Sequence, residues 1–420
     1  MILSLEGAIG VLLRPLLFIL YFLSGLVPRN AHRWVFGSWS GKRYADNAAA
    51  LFEYVIEQED GVIEPIWISI DAKVIRSLRD RGYTVYRPWS LKGVHACLTS
   101  GIYVFDGLTK DINHWLSRGA KKVLLRHGIG IKKVERAIEH PEHRLYKLFH
   151  GSPAQKLVWS YLLPWHLVHP DLMIATAPDH VRQGQVYYGV NADRIIITGF
   201  PRNDRLLRAA SDDAEGPEQA VLDDLSRRGL PVFLYLPTFR DVTSGFNFPL
   251  EELNQMATRL GIVLLVKLHF VDGLRNRSFA TGADSNLVLV DAAIDPNSLF
   301  HAVNGLISDY SSVTFDFLLT EKPVIFFVPD LADYQQHSRS FYYDFDEVTP
   351  GPKPGNVNEL EAAIRSAIDN GVGEWQNKYQ EVLDRFHTYR DAHASERTYR
   401  EMVARFLPAA GGIGTTRPLE

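Results

Sequence analysis

Short apolar runs alternate with longer amphipathic stretches along most of this chain, and the alternation predicts parallel strands joined by helices. Each apolar run ends in polar or turn-forming residues, as buried strands of a parallel sheet do. In the first half, strands are predicted at residues 34–36, 65–70, 84–86, 102–105, 122–125, 172–175 and 195–198. In the second half, they are predicted at residues 232–236, 262–268, 287–290, 306–308 and 323–328. The pattern therefore predicts two doubly wound α/β domains.

The stretch 305–330 is the clearest strand, loop, helix and strand unit of the chain. Ser311 or Ser312 can cap a helix that runs to Glu321 and Lys322. The start of this helix brings together free N–H groups, two hydroxyls and the positive end of the helix dipole. This combination predicts an anion site, with phosphate as the expected ligand. A helix cap that serves stability alone explains the same residues, and this stretch by itself does not separate the two interpretations.

Polar side chains gather where the predicted strands end, and this layout describes a cleft between the two domains. Histidine can act as a base near neutral pH, so one such residue could take a proton from an attacking hydroxyl while a second sits protonated against phosphates. His127 follows a predicted strand of the first domain and is a candidate for this chemistry. The planar guanidinium of Arg240 can bind two phosphate oxygens at once. Lys267 and His269 lie two residues apart on one strand, so their side chains face the same way.

The 420 residues give room for two domains of ordinary size. We expect a membrane-associating helix at residues 1–30, an N-terminal α/β domain at 31–200 and a C-terminal α/β domain at 201–385. The N-terminal domain would hold the acceptor side of the cleft and the C-terminal domain the nucleotide side. The remainder, residues 386–420, predicts a charged helix over about 387–406 and a disordered tail.

The apolar segment at residues 8–27 approaches the length of a bilayer span, but Arg14 and Pro15 interrupt it. Basic residues follow directly, which favours a helix that lies on or dips into the cytoplasmic leaflet. A second stretch, 147–167, mixes cations with Trp and Tyr as interfacial surfaces do. A buried core helix in the first case, and helices covering the sheet in the second, are the alternatives. The expected location is the cytoplasmic face of the membrane, with peripheral or monotopic attachment.

Composition and motifs exclude several classes of function. A formal net charge of −4 gives no overall basic field, so a nucleic-acid partner is not expected. The single cysteine, Cys97, rules out an intramolecular disulfide and fits a reducing compartment. The sequence has no Walker, HExxH, CxxC or GxGxxG pattern, which disfavours a redox dinucleotide enzyme. Metal dependence and a homo-oligomeric state stay open.

Seven segments, taken together and in order over residues 34–355, resemble the CDP-glycerol glycerophosphotransferase family. They are WVFGSWSGKRYADN (34–47), RHGIGIKK (126–133), TGFPRNDRL (198–206), LPTFRD (236–241), VKLHF (266–270), SDYSSVTFDF (308–317) and RSFYYDF followed by PGP (339–345 and 350–352). This family contains the TagB-like and TagF-like enzymes of teichoic acid synthesis. The resemblance implies a GT-B-like architecture and attachment to the cytoplasmic membrane face.

The resemblance also implies a reaction, namely transfer of glycerol phosphate from CDP-glycerol to a hydroxyl of a glycan or lipid-linked acceptor, with release of CMP. By motif, His127 resembles the catalytic histidine of the family and His269 its second essential histidine. The predicted substrate-binding residues are Ser38, Gly128, Thr238, Arg240, Lys267, Asp309, Ser311 and Ser312. Attack on the β-phosphorus needs hydrogen-bond donors already in place for the charge on the phosphoryl oxygens. No cofactor is expected besides the CDP-alditol donor substrate.

Two departures from the family pattern leave the substrates open. The usual HGTP motif is HGIG here, at residues 127–130, and the usual arginine and proline around the second histidine are Lys267 and Phe270. CDP-ribitol or another CDP-activated group could replace CDP-glycerol, and a capsule or surface glycan could replace teichoic acid. A GT-B glycosyltransferase that uses a nucleotide sugar, and an inactive relative that binds polymer precursors, are the competing hypotheses.

Overall fold

Two parallel β-sheets organise the chain, one built before residue 200 and the other after it. The computed structural model describes residues 13–58, 61–208, 217–238, 249–268, 285–291, 294–332, 334 and 340–407. The α/β class with parallel sheets that the alternating pattern predicts is confirmed. The exact division at residues 200 and 201 stays a prediction.

The first sheet has seven strands in the order β3-β2-β1-β4-β5-β6-β7, all parallel. Its strands are β1 (Asn30–Gly37), β2 (Glu64–Ile68), β3 (Val85–Tyr86), β4 (Ser100–Phe105), β5 (Lys121–Leu124), β6 (Leu172–Ala175) and β7 (Ile195–Ile197). Every residue of the central strand β4 is buried, because helices cover both faces of such a sheet. The chain reverses its winding direction at β1, so the loops after β1 and β4 diverge at the carboxyl edge.

The second sheet has five parallel strands in the order β10-β9-β8-β11-β12. Its strands are β8 (Val232–Leu236), β9 (Val263–Val266), β10 (Leu287–Leu289), β11 (Gly305–Ser308) and β12 (Val324–Phe326). The central strands β8 and β11 are buried throughout, and β11 lies directly beside β8 in register from Gly305 to Ser308. The loops that follow these two strands therefore meet at one point of the carboxyl edge.

Helices connect the strands and cover the sheets. In the first half they are α1 (Arg14–Ser24), α2 (Asp46–Glu57), α3 (Ala72–Asp80), α4 (Leu91–Thr99), α5 (Arg144–Phe149), α6 (Pro153–Leu162), α7 (Pro178–Tyr188) and α8 (Asn203–Leu207). In the second half they are α9 (Pro217–Arg228), α10 (Leu250–Leu260), α11 (Val313–Leu318), α12 (Phe345–Val348), α13 (Val357–Asn370), α14 (Gln376–Phe386) and α15 (Ala394–Phe406).

Helix α1 lies against the first domain and does not resemble a bilayer span. It has 11 residues, and none of the helices in the described part of the chain is long and apolar enough to cross a membrane. The Arg14 guanidinium donates to the carbonyl of Tyr161 at 2.6 Å, and the Phe18 ring packs between Trp115 and Tyr161. Its other side exposes a row of apolar residues, Leu16, Ile19, Phe22 and Leu23.

The C-terminal helix returns to the first domain. The Asp204 carboxylate accepts hydrogen bonds from the N–H groups of Ala394 and Ser395, both at 2.8 Å, and so caps α15. Tyr399 of α15 packs its ring 5.9 Å from that of Trp34 on β1. The last described helix therefore completes the core around the first strand.

Most predicted strands and helices agree with the structure to within a few residues, and two helices differ. Helix α11 ends at Leu318 instead of reaching Lys322, because the chain turns at once toward β12 and Glu321 takes a φ of 55°. The helix predicted from residue 387 begins only at Ala394, since the residues before it carry the chain from one domain to the other.

Candidate active site

His127 is exposed on the loop that follows β5, at the carboxyl edge of the first sheet. The backbone is unusual on both sides of it, with φ of 61° at Arg126 and 153° at Gly128. Buried Gln183 holds this loop: its Oε1 accepts from Arg126 Nη2 at 2.7 Å and its Nε2 donates to the Gly130 carbonyl at 2.7 Å. Unfavourable backbone angles that neighbouring groups enforce are typical of functional sites.

The loop after β1 carries a second exposed ring next to His127. The centroid of the Trp39 indole lies 6.2 Å from that of the His127 imidazole. Asp111 fixes the loop, because its Oδ1 accepts from the N–H of Ser40 at 2.8 Å. Burial raises the pKa of Asp111, although backbone N–H donors and the nearby His127 act in the opposite direction.

On the second sheet, Asp309 ties together the loops that follow β8 and β11. Its carboxylate accepts from the backbone N–H of Thr238 at 2.9 Å, from the Thr238 hydroxyl at 2.6 Å and from the N–H of Tyr310 at 2.5 Å. The side chain is fully buried, so these donors replace the water that an exposed carboxylate would bind. Asp309 therefore shapes the loop that presents Thr238.

Ser311 and Ser312 lie between Asp309 and α11, and both are partly exposed. The Ser311 Oγ accepts a long hydrogen bond of 3.4 Å from the N–H of Val313, whereas the Ser312 side chain makes no capping bond. With only six residues, α11 supplies a small helix dipole. Any anion binding here must therefore rely mainly on hydroxyl and N–H donors of the loop.

Arg202 joins the two domains through a buried ion triad. Its guanidinium donates to the carboxylates of Asp46 on α2 and Asp316 on α11, and at 3.1 Å to the carbonyl of His127. Only 11% of the Arg202 side chain is exposed. Burial opposes its charge, but Asp316 and Asp46 outweigh this effect and raise the pKa of Arg202. The triad sets the position of His127 relative to the second sheet.

The His127 loop also contacts the second domain directly. A Cβ added at Gly128 would fall 2.7 Å from Ser312 Oγ, so glycine is needed both for this approach and for its φ. Farther along, the N–H of Lys133 donates to the Ser340 carbonyl at 2.9 Å and the N–H of Tyr342 to the Ile131 carbonyl at 2.7 Å. The predicted catalytic loop and the predicted phosphate loop are therefore neighbours.

Lys267 follows β9 on the same edge of the second sheet, and its Nζ donates to the Asp291 carbonyl at 3.1 Å. Burial, followed by the charge of Arg43 from the first domain, lowers the pKa of Lys267 to about 8. The charges of Asp295 and Asp291 act in the opposite direction, so Lys267 lies among groups of both signs.

The structure separates the predicted site residues into three groups. His127, Gly128 and Ser312 come together at the domain contact, with Ser311, Thr238 and Lys267 on the neighbouring loops. Ser38 and Asp309 are fully buried, and this burial argues against direct contact with a substrate. Arg240 and His269 lie outside the described residues, so their roles stay predictions.

Three residues that organise the site were not among the predicted ones. Arg202 and Asp46 lie in the segments GFPRND and YADN, which belong to the motifs that carry the family resemblance. The sequence does not reveal that the two residues form an ion pair. Gln183 gives no such signal, since it is a polar residue in the middle of a helix. Within the described residues, no group of three or more His, Cys, Asp or Glu side chains could hold a metal ion.

Two parallel sheets with polar strand-end loops meeting between them define an α/β protein whose site lies at a domain contact. The profile of the family CDP-Glycerol:Poly(glycerophosphate) glycerophosphotransferase matches residues 19–404. The chain belongs to this family and is an enzyme of the glycerophosphotransferase class.

Relatives and solved structures agree with this assignment. A teichoic acid glycerol-phosphate transferase of Staphylococcus aureus (strain NCTC 8325 / PS 47) is 27% identical over 383 residues, covering 88% of this chain and 92% of that protein. A teichoic acid poly(glycerol phosphate) polymerase of Bacillus spizizenii (strain ATCC 23059 / NRRL B-14472 / W23) is 29% identical over 373 residues, covering 82% and 86%. A structure of the wall teichoic acid polymerase TagF superposes with a TM-score of 0.74 at 22% identity, covering 94% of each chain, and supports the fold.

Proposed function

We propose that this enzyme transfers glycerol phosphate from CDP-glycerol to a hydroxyl of a glycan or lipid-linked acceptor and releases CMP, in the synthesis of a teichoic-acid-like or capsule polymer. The contact between the His127 loop and the Ser312 loop, tied by Arg202, is the observation that carries this proposal. Two relatives named for glycerol phosphate align over most of the chain, which favours glycerol over ribitol.

In the proposed reaction, the acceptor hydroxyl oxygen attacks the β-phosphorus of the donor. A bond forms between that oxygen and the phosphorus, and the bond from the phosphorus to the bridging oxygen breaks, so CMP leaves with that oxygen. His127 takes the proton of the attacking hydroxyl as general base. Its exposure supports this role, because a hydroxyl from solvent can reach the ring.

Donors on the second domain stabilise the charge of the phosphates in this mechanism. The hydroxyls of Ser311 and Ser312 and the ammonium of Lys267 lie on loops at the same sheet edge. Donors that are already in place lower the barrier without reorganising during the reaction. By resemblance to the family, Arg240 binds the same phosphates and His269 is the second essential histidine. A bound cofactor has no role in this scheme.

Membrane association is the second part of the proposal, and the outer face of α1 supports it. Leu16, Ile19 and Leu23 are exposed along one side, and the neighbouring helix α6 exposes Leu157 and Val158. The arrangement suits a helix pair that lies in the interface of the cytoplasmic leaflet. Sedimentation with anionic vesicles tests it: the intact protein should pellet, and a Leu16→Glu, Leu23→Glu variant should remain in solution. Equal pelleting of both would contradict the proposal.

Release of CMP from defined donors tests the reaction most directly. The purified protein is incubated with a lipid-linked acceptor and CDP-glycerol, CDP-ribitol or a nucleotide sugar, and the nucleotide that each donor releases is quantified. We expect CMP from CDP-glycerol, and a loss of roughly 10²–10⁴-fold in kcat for His127→Ala, the usual effect of removing a general base. His32→Ala is the matched control, since His32 is exposed on the amino side of the same sheet.

The outcomes separate the hypotheses. Absence of CMP with every CDP donor would refute the transferase proposal, and turnover of a nucleotide sugar alone would replace it with a glycosyltransferase. If CMP formed equally well in His127→Ala and in the unaltered enzyme, the base would have to be a different group.

A further inference from the structure

The loop after β1 places a cation and an aromatic face beside the proposed base. The Arg43 guanidinium carbon lies 5.3 Å from the centroid of the Trp39 indole, which is itself 6.2 Å from the His127 ring. Trp39 is 51% exposed and Arg43 is exposed, so both groups are accessible from the cleft. Among the described residues, no carboxylate forms an ion pair with Arg43.

The position of the indole is enforced by its turn. Trp39 has a φ of 48° and Ser40 a φ of 57°, backbone angles that residues other than glycine rarely adopt. Three hydrogen bonds hold the turn: Ser40 N–H to Asp111 Oδ1 at 2.8 Å, Ile70 N–H to the Gly41 carbonyl at 2.8 Å and Ser69 Oγ to the same carbonyl at 2.7 Å. A conformation that is maintained against its own strain points to a functional role for the ring it presents.

The charge around Arg43 is suited to an anion. The exposed Arg43 guanidinium is a cation that lies beside the Trp39 indole. A guanidinium binds two phosphate oxygens in one plane, and the indole offers an apolar face for the C–H groups of a polyol. These are the two parts of an alditol phosphate unit.

We propose that Trp39 and Arg43 form an acceptor subsite that binds the last alditol phosphate unit of a growing polymer: Arg43 holds its phosphodiester, and Trp39 covers its polyol. This inference rests on the proposed function, because the acceptor hydroxyl must lie within reach of His127. The subsite gives the enzyme a preference for acceptors that already carry such a unit.

The turn of the subsite is connected to helix α1 through Asp111, its chain neighbour Lys110 and the Trp165 ring. Asp111, which holds the Trp39 turn, directly follows Lys110, whose Nζ lies 5.5 Å from the ring centroid of Trp165. The Arg14 guanidinium of α1 lies 5.7 Å from the same ring. Lys110 and Arg14 therefore share one aromatic neighbour, which connects the turn of the subsite to α1 within the first domain.

Kinetics with two acceptors test the subsite. One acceptor is a lipid-linked disaccharide, and the other is the same molecule extended by one glycerol phosphate. Arg43→Ala should raise KM for the extended acceptor about tenfold or more, the effect of losing a charge-assisted hydrogen bond. KM for the disaccharide acceptor and KM for CDP-glycerol should stay unchanged. Arg81→Ala is the matched control, because it removes an arginine that packs 4.7 Å over Tyr83 on the outer surface.

A glycine variant separates binding from a structural role of the strained turn. Trp39→Gly relieves the left-handed backbone, so its Tm should not fall, while KM for the extended acceptor rises and KM for the disaccharide acceptor stays unchanged. A lower Tm with unchanged KM would overturn the assignment of Trp39. An equal rise in KM for CDP-glycerol and for the extended acceptor in Arg43→Ala would place Arg43 at the donor and overturn the proposal.

Direct binding keeps this test independent of turnover. Calorimetry with a glycerol phosphate dimer, in the absence of donor, should show weaker binding to Arg43→Ala than to the unaltered protein and to Arg81→Ala. Equal binding to all three would refute the subsite even in an active enzyme. Absence of CMP release from every donor, with this difference in binding intact, would refute the proposed reaction alone.

Discussion

Replacing Arg202 with alanine removes the cation from the buried triad between the two domains. Asp46 and Asp316 both lose it, and their side chains are only 6% and 2% exposed. Asp316 keeps a hydrogen bond of 2.9 Å from Asn203 Nδ2, and Asp46 keeps one of 3.1 Å from the N–H of Asn47. Each carboxylate therefore retains one neutral donor but has little access to water.

Removal of one partner from a buried ion pair costs about 3–5 kcal/mol, because the remaining charge is left without compensation. The two neutral donors that remain place Arg202→Ala at the lower end, at about 3 kcal/mol of unfolding free energy. That is a large share of the roughly 5–15 kcal/mol that stabilises an ordinary domain. We also expect kcat to fall, since the carbonyl of His127 loses its donor at 3.1 Å.

Urea unfolding followed by tryptophan fluorescence measures the first effect, and CMP release measures the second. Arg205→Ala is the control: Arg205 lies one turn away, is 57% exposed and pairs with Glu218 at 3.3 Å. A surface pair of this kind contributes about 0–1 kcal/mol, so this variant should unfold almost like the unaltered protein. If Arg202→Ala and Arg205→Ala lost the same small amount of stability, the triad would not be the tie between the domains.

Two further predictions concern pH. Because the pKa of Lys267 is lowered to about 8, its charge is lost as pH rises through that value, and KM for the CDP donor should increase between pH 7 and pH 9. KM of the Lys267→Arg variant should not change over this pH range. A parallel rise of KM in both proteins would contradict the role of Lys267. Burial lowers the pKa of His387 to about 4, so the unfolded chain binds its proton first as pH falls. The unfolding free energy should therefore decline from about pH 6.5 toward pH 4, by up to about 1.4 kcal/mol per pH unit for this group. Urea titrations of His387→Gln should show a shallower decline with pH. An unchanged slope would refute the assignment of this decline to His387.

The strands were predictable because each is a short apolar run that ends in a polar turn, and the parallel class follows from their alternation with helices. The order of strands was not predictable in the same way. That β11 lies between β8 and β12 depends on long-range packing, which leaves no periodic trace in the sequence.

The site was partly predictable for the same reason. His127, Ser311 and Ser312 follow apolar runs, so their place at the sheet edge could be inferred. Asp309 is predicted as a binding residue because it lies at the end of a predicted strand, but the structure buries it, and two of its hydrogen-bond donors belong to Thr238, 71 residues away in the chain. The PGP segment is a motif with a structural role. The Pro352 carbonyl accepts from the Phe326 N–H at 2.9 Å, so this segment extends the edge of the second sheet.

The return of α15 to the first strand has a consequence for synthesis on the ribosome. Trp34 and Tyr54 emerge from the ribosome well before Tyr399, whose ring lies 5.9 Å and 5.8 Å from theirs. The first domain must therefore wait for its final packing partner while the second domain is made and folded. During that interval, the surface around Trp34 is an exposed apolar patch of the kind that chaperones bind. We expect a chain truncated before Ala394 to form both sheets but to leave this apolar patch exposed to solvent.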